Sequence, residues 1–65
     1  MEQAWMIEKK GALLWWNGKP KKYGLAAWSV AIDGIRFARK FDAEICAIAQ
    51  GYSLSSVMAT EHQWV

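Results

Sequence analysis

One cysteine and one histidine occur in this 65-residue chain, and each scarcity excludes a class of protein. Cys46 has no partner for an internal disulfide and cannot build a cysteine-based zinc site within one chain, which suits a reducing compartment. His62 is the sole imidazole, and no nucleophile, base and orienting group can be assembled around it. Its neighbour Glu61 would face the opposite way on a strand. Asp33, Asp42 and Glu44 are not spaced to share a helix face as a carboxylate dyad, so capping and solubility are their ordinary work. The glycines at 11, 18, 24, 34 and 51 form neither GxGxxG nor GxxxxGK, which leaves a phosphate-cradling loop unsupported. No apolar run is long enough to cross a bilayer, and no basic start leads into a hydrophobic stretch. The expectation is a cytoplasmic protein that is not an enzyme, needs no metal or cofactor, and does not enter the membrane.

What the chain does contain is apolar and aromatic. Hydrophobic residues make up 54% of it, with five tryptophans, two tyrosines and two phenylalanines. A chain this short buries only about 60% of the surface its unfolded form exposes, so large aromatic side chains matter for assembling a core. Residues 1–65 read as a single domain, one that a homodimer would help to complete.

The pattern along the chain suggests few elements. "AWMIEK", residues 4–9, alternates as a strand, and "KKGA" offers a hairpin into a second run, "ALLWWN". "NGKPKKYG" reads as a loop, since Asn17 and Gly18 favour a turn and Pro20 interrupts a ladder. "LAAWS" fits a short extended segment, with Ser29 placed to cap a helix. Val30, Gly34, Phe37, Phe41, Ile45 and Ile48 then recur at helical spacing and predict an apolar stripe facing the core, with Gly51 closing the helix. Gly34 and the acidic pair Asp42 and Glu44 allow a second reading, a helix broken near 38–42 with its main part at 42–50. The tail "VMATEHQWV" reads as a third strand. The predicted fold is two-layer α+β, β-β-α-β, with a three-stranded antiparallel sheet, one helix on one face, and the last strand beside the first.

The stretch "LLWWNGKPKK" carries the functional expectation. Consecutive side chains on a strand point to opposite faces, so Trp15 and Trp16 cannot share one core. A single helix covers one face, which leaves one indole on the other unless a loop shields it. Trp is enriched at interface hot spots. Basic residues stand nearby in two groups, Lys19, Lys21 and Lys22 in the loop, and Arg36, Arg39 and Lys40 at i, i+3 and i+4 on the expected helix. Such a rim suits an acidic protein surface or nucleic acid, although a solvated face is the commonest role of charge.

Trp28, "IRFARKFDAE" at 35–44 and "TEHQWV" at 60–65 resemble a group of small uncharacterised proteins encoded by bacteriophages and prophages. The resemblance covers residues 28–64 well and the first strand loosely, and Gly34 stands where members more often carry alanine. It implies a phage accessory protein that binds a host or phage macromolecule in the bacterial cytoplasm, with inhibition of a defence system such as CRISPR-Cas as one recurrent role. A net charge of +2 does not fit acidic mimicry of DNA. The reading is therefore a non-catalytic partner-binding protein using Trp15, Trp16, Lys19, Lys21, Lys22, Arg36, Arg39 and Lys40. A small nucleic-acid-binding protein using the same cations is the alternative.

Overall fold

A computed structural model describes residues 2–30 and 33–64. Ala31, Ile32 and Val65, which the expected helix and tail strand include, lie outside the described residues. The elements run β1 (Glu2–Lys9), β2 (Trp15–Trp16), 3-10 turns over Lys21–Ala27, β3 (Trp28–Ser29), α1 (Lys40–Ala49) and β4 (Val57–Trp64). The chain is α+β with one antiparallel sheet. The sheet has four strands, not three, in the order β3-β2-β1-β4.

The fourth strand comes from "LAAWS". Asn17 ends β2 by folding the chain over: its Nδ2 donates to Ala26 O at 2.9 Å and to Ser29 Oγ at 2.8 Å, while its Oδ1 accepts from Lys19 N–H at 3.1 Å. That last bond is the side-chain turn expected of asparagine. Pro20 then enters the 3-10 turns, Gly24 breaks them at φ 58°, and Trp28 returns opposite Trp16. β1 and β4 pair over eight residues, from Glu2 against Trp64 to Lys9 against Val57, so the last strand does lie beside the first.

The helix is shorter than its apolar pattern. Residues 34–38 are not helical: Ile35 N–H donates to Trp16 O at 2.9 Å, and Phe37 exchanges two main-chain bonds with Trp5, each 2.8 Å. This segment takes over the edge of β1 where β2 ends. α1 starts at Lys40, close to the later of the two predicted starts. Asp42 lies in its first turn, where a negative charge complements the helix dipole. At its far end Gly51 N–H donates to Ile48 O at 2.9 Å and Tyr52 N–H to Ala47 O at 3.0 Å, a Schellman closure with Gly51 at φ 91°.

The core lies between α1 and one sheet face. Ile7, Trp16, Trp28 and Val57 come from the sheet, Ala27 from the 3-10 turns, and Ala43 and Ala47 from the helix, with Trp5, Leu14, Phe37, Cys46 and Tyr52 packed around them. Large side chains on the sheet meet small ones on the helix. The small helix side chains let α1 approach the sheet closely, as close packing requires.

Candidate functional site

The two adjacent indoles part company. Trp16 is only 6% exposed, and its Nε1 donates to Lys19 O at 2.8 Å, so it is a core residue with its one polar atom satisfied. Trp15 lies on the face away from α1. Its Nε1 donates to Thr60 Oγ1 at 3.3 Å, its ring meets His62 edge-on with centroids 5.0 Å apart, and Thr60 Oγ1 lies 3.2 Å from His62 Nε2. β1 runs between β2 and β4, so the indole spans it above Met6, whose side chain is fully enclosed. Trp15 is thus half-buried as the roof of a small second cluster rather than a projecting anchor.

The basic residues do not form one patch. Lys21 Nζ donates to Gly51 O at 2.8 Å and lies 5.3 Å from the Tyr52 ring centre, at the C-terminal end of α1. Arg39 and Lys40 stand at its N-terminal end, about 15 Å away for a helix of this length. Arg39 is turned onto Asp42 through a two-pronged pair, Nε to Oδ2 at 3.1 Å and Nη2 to Oδ1 at 2.9 Å. Hydrogen bonding to that carboxylate, then its charge, raises the guanidinium pKa further. Lys22 lies 5.6 Å from the Tyr23 ring. Arg36 is exposed in the extended segment ahead of the helix, and Lys19 is exposed in the loop. The spacing of Arg36, Arg39 and Lys40 fits one helical face only if they are helical. Of the three, Lys40 alone lies in α1.

The most prominent surface feature is on α1 itself. Phe41, Ile45 and Ile48 are 63%, 49% and 58% exposed, and their i, i+4, i+7 spacing places them on one stripe. Ala43 and Ala47 occupy the opposite face and are enclosed. The helix is packed by its alanines and turns its large apolar side chains to solvent. Sequence periodicity finds the stripe but assigns it to the core. The available signal was the second, smaller apolar face, Ala43, Cys46 and Ala47, combined with the large indoles of Trp5, Trp16 and Trp28 on the sheet side.

Other features carry little chemistry. A shallow depression of about 240 Å³ at the β1–β2 turn is lined by Glu8, Gly11, Ala12 and Leu13, without a base and nucleophile in register. Partial burial raises the Cys46 thiol pKa, which lowers its thiolate fraction. Among the described residues no group of three or more His, Cys, Asp or Glu side chains is placed to hold a metal ion, and no helix is long and apolar enough to cross a membrane. Comparison with protein-family models, curated proteins and solved structures finds no match.

Proposed function

We propose that this is a non-catalytic binding protein that lays the outer face of α1 into an apolar groove on another protein. The observation that carries the reading is the stripe of Phe41, Ile45 and Ile48, each about half exposed or more, on a helix whose opposite face already fills the core. Grooves that take helices use anchors at this spacing, and a contiguous exposed apolar patch on a small domain commonly marks an interaction site. Lys40 and Glu44, four residues apart, border one side of the stripe with opposite charges, which orient a partner more than they add affinity. The phage-protein resemblance supplies the biological setting: an accessory protein that occludes a surface of a host or phage protein, a bacterial defence complex being one such target. Nucleic-acid binding is the weaker reading, because the cations stand at opposite ends of α1 and Arg39 is already paired with Asp42.

The experiment compares the wild-type chain with an Ile45→Lys/Ile48→Lys variant in capture from the host, followed by titration of the captured protein in purified form. Loss of two central anchors at 2 kcal/mol or more each predicts an affinity drop of roughly 1000-fold, with the circular dichroism spectrum unchanged. Undiminished affinity in the variant refutes the assignment of the surface. Loss of binding with rising salt in both proteins, together with a shift of DNA or RNA at low salt, favours the nucleic-acid reading instead.

A further inference from the structure

The outer edge of β4 is a second surface, independent of α1. β4 is the outermost strand on its side of the sheet, and the pairing of β1 shows which of its groups remain open. Trp5 exchanges its main-chain bonds with Phe37, and Lys9 N–H donates to Leu14 O, both on the side of β1 away from β4. The intervening residues Ala4, Met6 and Glu8 therefore direct their amides toward β4, opposite His62, Thr60 and Met58. By alternation, Ala59, Glu61 and Gln63 direct main-chain N–H and C=O groups outward, where no described residue meets them.

Edges of this kind are normally blunted by shortness, proline, lysine or a bulge. The opposite edge, β3, is two residues long. β4 is eight residues long, contains no proline or lysine, and is paired without interruption. Its one formal charge is Glu61, and that charge selects among the ways two such edges can meet. An antiparallel register centred on Glu61 sets the two carboxylates directly opposite each other and is destabilised. A register centred on Ala59 shortens the overlap. Centring on Thr60 keeps residues 57–63 paired, sets Glu61 against Ala59 of the second copy, and brings the two Thr60 side chains together at a closely spaced, non-hydrogen-bonded position, a favourable cross-strand pair.

We propose that β4 pairs with β4 of a second copy of this chain, antiparallel about a two-fold axis through Thr60, joining the two sheets into one. The symmetric contact is self-complementary, as a two-fold interface requires. It leaves the outer stripe of α1 uncovered, so it goes beyond the reading above and does not depend on it.

Sedimentation of the full chain tests this, using the wild type, Glu61→Pro and Ile48→Lys. The Glu61 N–H points outward, so proline there removes an edge donor without breaking the β1–β4 ladder. The expected result is a concentration-dependent wild-type dimer, a dissociation constant raised at least about thirtyfold by Glu61→Pro through lost main-chain bonds, and no change with Ile48→Lys. A wild type that stays monomeric at millimolar concentration overturns the proposal. So does a dimer that survives in folded Glu61→Pro but dissolves in Ile48→Lys, which would place the contact on α1. Should Glu61→Pro fail to fold, Thr60→Cys in a Cys46→Ala background decides the matter. Facing Cα atoms about 4.5 Å apart permit a disulfide, so mild oxidation yields a covalent dimer, while Gln63→Cys in the same background does not; equal linkage at both positions, or none at Thr60→Cys, overturns the register.

Discussion

Exchanging Ala43 for leucine should damage this protein more than exchanging Ile48 for lysine, the reverse of what hydrophobicity alone would suggest. Ala43 is fully enclosed between α1 and the tryptophan-rich sheet face. An isobutyl group there has no space, and overpacking of this sort costs about 1–3 kcal/mol. A chain of this length is held by only about 3–10 kcal/mol, at 0.05–0.15 kcal/mol per residue. At about 4–8 °C per kcal/mol, the midpoint should fall by about 4–24 °C. Ile48 sits on the exposed stripe, where folding withdraws about two-fifths of its surface from water. Complete burial of such a side chain is worth about 1.5–3 kcal/mol, so at most about 1.2 kcal/mol is at stake. The lysine stem covers the same apolar ground, and lysine favours a helix slightly more than isoleucine. The net change should lie within about 0.5 kcal/mol. Urea titration followed by far-ultraviolet circular dichroism measures both variants. If Ile48→Lys loses more than about 2 kcal/mol while Ala43→Leu is silent, the orientation of α1 argued from burial is wrong.

Three further outcomes follow from individual contacts. Gly51→Ala forces a side chain into the left-handed region at φ 91° and should cost about 1–2 kcal/mol in the same titration. Trp16→Ala should cost about 3–5 kcal/mol and leave the chain largely unfolded on heating to physiological temperature, whereas Trp15→Ala should cost less and chiefly uncover Met6; differential scanning calorimetry ranks the two. Burial raises the Cys46 thiol pKa, so the folded chain favours the protonated form. The corresponding stability is present below the pKa of the unfolded thiol and is lost as pH rises through it toward the folded value. Alkylation of Cys46 should therefore show a pH profile displaced upward from that of the urea-unfolded chain, and coincident profiles would contradict this.

Much of the architecture is readable from local chemistry. The alternation of residues 4–9 and 57–63, the glycine that closes α1 and the acidic residues at its start act over a few positions, and their consequences appear where expected. The opposed directions of Trp15 and Trp16 follow from the pleat alone. Three features depend on tertiary partners and leave no such mark. β3 is two residues long, and its pairing with β2 is arranged by the Asn17 side chain, a contact no periodicity records. The spacing of Val30, Gly34 and Phe37 matches a helix, but Phe37 gains more by completing the edge of β1 opposite Trp5. The inversion of α1 has the same origin. With Trp5, Trp16 and Trp28 occupying the sheet side and Tyr52 packed edge-on against Trp28, alanine-sized residues fit beneath the helix, and the larger stripe is turned outward. A single basic rim requires residues 36–40 to be helical and the 19–22 loop to return across them. Lys21 instead reaches Gly51, at the other end of α1.

The outward presentation of Phe41, Ile45 and Ile48 is the point on which the proposed binding function rests, and methyl NMR in the presence of a soluble paramagnetic probe measures it directly in dilute protein. The account predicts strong broadening of the Ile45 and Ile48 methyl signals, with those of Ile7 and Val57 left sharp. Protection of Ile45 and Ile48 equal to that of Ile7 in a monomeric sample would contradict it.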